Sequence, residues 1–144
     1  MYKKILVPLD GSALAEKALD PAERLAKTFN AEVILFQVVP LMPIYAAPEE
    51  TPFIVDEIQN EASRRYLTKL AEELGNRGLE SKGQMVTGLQ VAPEIIDFAE
   101  ENKVDLIIMC THSHSGIILS GLGKTARKVV TQGKTPVLLI PMGK

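Results

Sequence analysis

The sequence of 144 residues lacks the features that would place it in a specialised class of protein. It contains one cysteine, Cys110, which excludes an internal disulfide and fits a reducing compartment. Its net charge is only −2 at pH 7, without a block of like charges, which argues against binding to nucleic acid or to a membrane surface. No apolar run approaches the length that spans a membrane. We therefore expect a soluble protein of the cytoplasm.

The amino terminus also lacks the pattern of a secretory signal. The apolar run that follows Lys4 contains Pro8 and ends at Asp10, so it is too short for a signal peptide. The apolar content is ordinary for a globular protein, and the length is that of one domain with a sizeable core. We expect a single domain over 1–144.

Apolar periodicity divides the chain into alternating strands and helices. Short apolar runs rich in β-branched residues indicate strands, and amphipathic segments bounded by caps and glycines indicate helices. The predicted strands are 3–9, 32–39, 79–87, 104–109 and 135–141. The predicted helices are 13–29, 53–75, 90–102, and a fourth from Gly123 or Lys124 to near Gly133. In the first, Ser12 is the expected N-cap, and Pro21 should kink the helix or cost it a hydrogen bond. Four prolines within 40–52 predict a surface loop.

This alternation predicts a doubly wound α/β fold, with a parallel sheet, right-handed crossovers and helices on both faces. Ligands of such sheets bind at the carboxyl ends of strands where the winding direction reverses. If the first and fourth strands are adjacent, the loops after them, 8–12 and 110–125, meet at one crevice. The second loop leads into a helix N-terminus, whose unpaired N–H groups and dipole favour a phosphate.

Two segments at the ends of the chain carry a resemblance to a known family. The opening segment 3–12 reads KKILVPLDGS and the closing segment 135–140 reads TPVLLI. With these motifs the chain resembles the universal stress protein family over essentially its whole length. The resemblance implies a Rossmann-like, adenine nucleotide alpha hydrolase-like fold of five parallel strands in the order 3-2-1-4-5. It also implies a homodimer that forms through the last strand, 136–141.

The resemblance further implies an adenine nucleotide site, because one branch of the family binds ATP, although another branch does not. Asp10 would meet the adenine or the ribose, and Pro8, Val39 and Met109 would line the base pocket. ATP or another adenine nucleotide, alone or with Mg²⁺, is therefore the expected ligand.

On the phosphate side the sequence departs from the family pattern G-x2-G-x9-G-[S/T]. Its three glycines fall on Cys110, Ser113 and Gly123, and its hydroxyl residue falls on Lys124, which Thr125 follows. The Cβ atoms of Cys110 and Ser113 hinder close approach of a phosphate, although Ser113 could donate its hydroxyl. A lysine at a helix start opposes the helix dipole by about 0.3–1 kcal/mol unless an anion is bound. Either the loop has lost phosphate binding, or it binds phosphate in an altered way through Ser113, Gly123, Lys124 and Thr125.

Other motifs in the same loop have simpler explanations. The segment 121–125, GLGKT, resembles the end of a P-loop, but the full pattern requires glycine where Ile118 stands. Cys110, His112 and His114 alternate along the chain and could converge on a metal ion, but no fourth ligand is evident nearby. We therefore predict no bound metal.

The sequence thus predicts a dimeric stress-response or regulatory module with a crevice for an adenine nucleotide. One alternative is a protein-interaction module of the same family that binds no nucleotide and meets an unknown protein partner. A second alternative is a weak ATP hydrolase. Asp10 has no adjacent nucleophile or second acid, and nothing in the spacing requires a set of Ser113, His112 and Asp10, so we do not expect an enzyme.

Overall fold

A five-stranded parallel sheet forms the centre of the computed structural model, which describes residues 2–43, 53–54, 57–111 and 123–141. Its strands are β1 (Lys4–Leu9), β2 (Glu32–Pro40), β3 (Ser81–Gly88), β4 (Leu106–Cys110) and β5 (Val137–Ile140). The order across the sheet is β3-β2-β1-β4-β5, and each neighbouring pair is parallel. The predicted α/β fold and strand order 3-2-1-4-5 are thus confirmed.

Helices cover both faces of the sheet. Within the described ranges they are α1 (Leu19–Phe29), α2 (Glu57–Asn76), α3 (Val91–Glu101) and α4 (Lys124–Gln132). One layer of the core joins the sheet to α1 and α2, and the other joins it to α3 and α4. None of these helices is both long enough and apolar enough to cross a bilayer.

Side-chain alternation along the central strands explains why two core layers form. In β1, Ile5 and Val7 pack toward α1 and α2, whereas Leu6 packs toward α3 and α4. Every residue of β4 is buried. Strands that are covered on both faces need continuous apolar sequence, and this is why 5–9 and 104–109 were recognisable as strands.

The first helix, predicted over 13–29, ends where expected but begins later than predicted. The segment Ala15–Ala18 forms a 3-10 turn, and α1 begins only at Leu19. Pro21 therefore lies in the first turn of α1, where the residue loses little by lacking an N–H group.

The segment before α2 also differs from the prediction. Phe53–Ile54, expected to begin the second long helix, instead forms a short strand that pairs antiparallel with Met42–Pro43. The helix itself begins at Glu57. Two of the residues assigned to a proline-rich surface loop, 40–52, thus belong to this two-stranded ladder; 44–52 lie outside the described residues.

Candidate functional site

The winding of the sheet reverses between β1 and β4. From β1 the chain proceeds through β2 to β3 on one side, and then crosses to β4 and β5 on the other side. β1 and β4 are direct neighbours, with Ile5 opposite Leu106 and Leu6 opposite Ile107. The carboxyl ends of these two strands therefore lie side by side, which is where ligands of such sheets bind. Most of the second loop predicted to border the crevice, 112–122, lies outside the described residues.

The loop after β1 is shaped by a hydrogen-bonded turn at Asp10. Oδ1 of Asp10 accepts hydrogen bonds from the backbone N–H of Ser12 at 2.9 Å and from its hydroxyl at 2.5 Å. Gly11, between them, has a φ of 86°, a left-handed conformation that favours glycine. The Ser12 Oγ in turn accepts the N–H of Ala15 at 3.1 Å, which ties the loop to the first residue of the 3-10 turn, whose N-cap position is Leu14 and not the expected Ser12. Asp10 is thereby held at the mouth of the crevice.

Two residues predicted to line a base pocket lie on one face of the sheet. Met109 is buried in the layer beneath α3 and α4. Pro8 is half-buried and is placed on that same face by its alternation with Leu6 and its register with Phe36. Val39 is fully buried, and by alternation its side chain lies on the opposite face. Only the backbone of Val39 can border the crevice on the Pro8 side.

Cys110, which stands at a glycine position of the family pattern, directs its side chain toward α1. The Sγ atom donates to the carbonyl oxygen of Leu14 at 3.1 Å, and the residue belongs to the core layer of α1 and α2. Burial raises the pKa of the Cys110 thiol, which therefore stays protonated. The steric hindrance to a phosphate that was expected from the Cβ of Cys110 therefore lies on the sheet face that α1 and α2 cover, and not on the face of α4. Ser113, His112 and His114 lie outside the described residues.

The phosphate side of the crevice is the start of α4. Gly123 is the N-cap residue, with φ −64° and ψ 154°, and no side chain caps the helix. Its N–H donates to the carbonyl of Thr111, and its own carbonyl accepts the N–H of Arg127 at 2.9 Å. Lys124 is exposed and Thr125 is half-buried at the first two helical positions. The N–H groups of this first turn have no partner within the helix.

The charges at the start of α4 are of one sign. The first turn contains no acidic residue, whereas Lys124, Arg127 and Lys128 lie within the first five residues of the helix. Cations near a helix N-terminus oppose the helix dipole, whereas an anion bound there is favoured by both. Without an anion, these cations destabilise the start of α4, whereas a bound phosphate is favoured by both the cations and the helix dipole.

Comparison with known sequences decides the family. The profile of the Universal stress protein family matches residues 1–141. The chain belongs to the universal stress protein family. It is 34% identical over 141 residues to universal stress protein MJ0531 of Methanocaldococcus jannaschii, an alignment that covers 97% of this chain and 82% of the relative.

Solved structures of universal stress proteins share the fold. That of MJ0577 from Methanocaldococcus jannaschii has a TM-score of 0.78 at 29% identity, with 100% of this chain and 99% of the other covered. A universal stress protein in complex with cAMP gives 0.70 at 22% identity, with 99% and 98% covered. The Archaeoglobus fulgidus protein in complex with dAMP gives 0.65 at 23% identity, with 96% and 98% covered. Members of the family thus bind adenine nucleotides.

Sequence reasoning missed one residue that holds the site of this universal stress protein together. Thr111 is buried directly after β4, where its N–H donates to the carbonyl of Ile140 at 3.1 Å and its carbonyl accepts the N–H of Gly123. It thereby joins β4, β5 and the start of α4. Its position two residues after the apolar run 104–109 was the available signal, because a polar residue there lies at the carboxyl end of a central strand.

The metal hypothesis for Cys110, His112 and His114 is not tested by the structure, because both histidines lie outside the described residues. Within 2–43, 53–54, 57–111 and 123–141 there is no group of three or more His, Cys, Asp or Glu side chains arranged to hold an ion. The Cys110 thiol is engaged with a carbonyl on the α1 face, which is a use as hydrogen-bond donor and not as thiolate ligand.

Proposed function

We propose that this universal stress protein binds an adenine nucleotide, with ATP as the first candidate, in the crevice between the loop after β1 and the start of α4. The proposal rests on two features that lie where the winding of the sheet reverses. One is the hydrogen-bonded turn at Asp10 after β1, and the other is the start of α4, which no side chain caps. A nucleotide needs both a polar contact for its base or sugar and a site for its phosphates.

On the base and sugar side, Asp10 is the polar group of the crevice. A carboxylate accepts hydrogen bonds, so it suits the amino group of adenine or a ribose hydroxyl. Pro8 and Met109 provide apolar surface on neighbouring strands of the same face, and the backbone of Val39 borders it. Relatives whose structures contain cAMP or dAMP support an adenine ligand.

On the phosphate side, the N–H groups at the start of α4 replace the glycine-rich loop of the ATP-binding branch. Gly123 brings the backbone to the helix start, Lys124 supplies a charge, and Thr125 supplies a hydroxyl. A phosphate here would cancel the opposition between Lys124 and the helix dipole, about 0.3–1 kcal/mol for one such charge. The altered loop is on this account a different phosphate clamp, and Mg²⁺ would accompany ATP as its counter-ion.

We further propose that the protein binds without turnover and acts as a regulatory module of the cytoplasm. Ser12 donates two hydrogen bonds to Oδ1 of Asp10, which gives this oxygen a role in shaping the loop. The measurement is phosphate release from ATP in the presence of Mg²⁺. Release that exceeds the uncatalysed rate and is lost in Asp10→Ala would show a hydrolase instead.

The protomer is proposed to pair through β5 with a second copy. β5 is an edge strand, and its Leu138 is 38% exposed. A bare apolar edge strand invites further strand pairing, and pairing about a two-fold axis satisfies the backbone and buries Leu138 in both protomers. The dimer is isologous, through 136–141.

The test of nucleotide binding is a thermal-shift and calorimetric titration of nucleotide-stripped protein with ATP, ADP and AMP, with and without Mg²⁺. A ligand that binds only the native state stabilises it by RT ln(1 + [L]/Kd), about 2.7 kcal/mol at a hundredfold excess over Kd. Lys124→Ala should raise the Kd for ATP about tenfold, the loss expected for a hydrogen bond to a charged group. Lys134→Ala is the matched control, because Lys134 is an equally exposed lysine beyond the carboxyl end of α4.

A second candidate is a module that binds a protein and no nucleotide. It is favoured by exposed apolar side chains at the carboxyl-end rim of the sheet: Leu14 after β1, Leu89 after β3 and Ile58 at the start of α2, which is 85% exposed. Absence of any thermal shift up to about 1 mM nucleotide would favour this candidate. At that concentration only a very weak nucleotide site would give too little stabilisation to detect.

A further inference from the structure

A single hydrogen bond ties the middle of α2 to the segment that follows β1. The hydroxyl of Tyr66 donates to Oε2 of Glu16 at 2.7 Å, between residues 50 positions apart in the sequence. Tyr66 is half-buried, and its ring packs on the core layer beneath α1 and α2. Glu16 belongs to the 3-10 turn Ala15–Ala18, which directly follows the Asp10 loop.

The bond continues into the Asp10 loop through Ser12. The backbone N–H of Glu16 donates to the carbonyl of Ser12 at 3.3 Å, and the N–H and hydroxyl of Ser12 both donate to Oδ1 of Asp10. Three consecutive links therefore connect α2 with the carboxylate at the mouth of the crevice. Hydrogen-bonded chains of this kind fix the orientation of the group at their end.

The segment between Asp10 and Ala18 is anchored in the core by Ala15 and Ala18, whereas its outer residues are exposed. Gly11, Ala13 and Leu14 are exposed, Gly11 adopts a left-handed conformation, and a 3-10 turn of four residues is held by weak hydrogen bonds of its own. From outside the segment, Cys110 holds Leu14 and Tyr66 holds Glu16. Beyond the two buried alanines, these hydrogen bonds help to hold the segment in one conformation.

We propose that Tyr66 is a positioning residue of the nucleotide site, acting through Glu16 and Ser12 to hold Asp10 in the orientation that receives the ligand. The inference rests on the proposed function. Burial, followed by the hydrogen bond to Glu16, raises the pKa of Tyr66, so the hydroxyl remains a donor at all pH values at which the protein would work. A segment that is ordered before binding costs the ligand less ordering entropy, and affinity rises accordingly.

The test compares Tyr66→Phe with Tyr2→Phe, because each change removes one hydroxyl from a half-buried tyrosine. Tyr2 packs edge-to-face on Phe29, 5.3 Å between ring centroids, beside the amino end of β1 and far from the crevice in the fold. We expect amide hydrogen exchange over 11–18 to become about tenfold faster in Tyr66→Phe, and the Kd for ATP to rise about threefold to tenfold. Tyr2→Phe should change neither quantity.

Substitutions at Glu16 provide a second test, because a conservative change that keeps the hydrogen bond to Tyr66 should keep nucleotide affinity. Glu16→Gln keeps an oxygen that accepts from Tyr66, and it should retain most of the affinity, whereas Glu16→Ala should match Tyr66→Phe. In an Asp10→Ala background, adding Tyr66→Phe should weaken binding no further, because Tyr66 acts through Asp10.

The outcomes separate this inference from the proposed function. If the wild-type protein binds no nucleotide, the proposed function fails, and hydrogen exchange still decides whether Tyr66 holds the segment. If Tyr66→Phe binds ATP as tightly as the wild type, or exchanges no faster over 11–18, the positioning role is overturned. An equal loss of affinity in the presence and absence of Asp10 would overturn it as well.

Discussion

Gly83 in β3 provides a sharp test of how α2 rests on the sheet. A Cβ atom added at this position would lie 2.7 Å from Cβ of Leu67 in α2 and 3.3 Å from the carbonyl carbon of the same residue. Ordinary contacts between carbon atoms are about 3.5–4.0 Å, so Gly83→Ala creates an overlap of about 1 Å. Because the neighbouring atoms belong to the helix backbone and its Cβ, no side-chain rotation relieves the overlap, and α2 must move outward.

The expected cost of Gly83→Ala follows from two opposing terms. Overpacking of this kind destabilises by about 1–3 kcal/mol. Replacing a strand glycine by alanine returns about 0.5–1 kcal/mol, because the unfolded chain loses conformational freedom. The net loss in the free energy of unfolding is therefore centred near about 1 kcal/mol and at most about 2.5 kcal/mol. For a chain of this length, about 1 kcal/mol lowers the Tm by about 3–4 °C.

The assay is thermal and urea unfolding followed by circular dichroism, with Gly75→Ala as the matched control. Gly75 lies in α2, has nothing within 4 Å of its added Cβ, and does not have a positive φ. Alanine there should stabilise the protein by about 0.5–1 kcal/mol through helix propensity. If Gly83→Ala were as stable as the wild type while Gly75→Ala behaved as expected, α2 would not pack on β3 in the way described.

Two further predictions concern the edge strand and the pH dependence. Leu138→Lys should convert the proposed dimer to a monomer in sedimentation at micromolar concentration, whereas Ile58→Lys, at a more exposed apolar position, should not; a monomeric wild type would contradict the pairing. The free energy of unfolding should fall as the pH rises above 9.0, because folding raises the pKa values of Cys110 and Tyr66. The folded state favours the neutral forms of both groups, so their contribution to stability is fully present below their ordinary pKa values. It is lost as the pH rises from those values through the raised ones. In urea unfolding from pH 7 to 11, the free energy of unfolding should fall less steeply with pH in Cys110→Ala from 9.0 upward and in Tyr66→Phe from 10.0 upward. If both variants lost stability with pH as steeply as the wild type, this assignment would be refuted.

Much of the fold could be predicted because the central strands are buried on both faces. Their continuous apolar runs are visible in the sequence without knowledge of any partner, and alternation with amphipathic helices then fixes a parallel sheet. The start of α1 could not be placed, because the 3-10 turn before Pro21 has the same apolar spacing as a helix. Phe53–Ile54 was assigned to α2 for a similar reason: a two-residue strand is defined by its pairing with Met42–Pro43, which no local pattern reveals.

The candidate site was predictable in its location more than in its contacts. Asp10 and Gly123 follow strands whose adjacency comes from the fold, so their meeting at one crevice could be expected. The orientation of Cys110 toward α1 depends on the phase of β4, and the bond between Tyr66 and Glu16 depends on how α2 packs beside a 3-10 turn. Such contacts between distant segments leave no trace in spacing.

The most direct test of the account is a two-dimensional ¹H–¹⁵N NMR titration of the nucleotide-stripped protein with ATP. We predict saturable chemical-shift changes at the amides of 10–12 and 123–126, which belong to the Asp10 turn and the start of α4. If no chemical shift changed up to about 1 mM ATP, nucleotide binding would be contradicted. Any site that weak would contribute little stabilisation even at that ATP concentration. Changes confined to the groove at the amino ends of the strands, which Tyr2, Lys103 and Lys134 line, would contradict the proposed location.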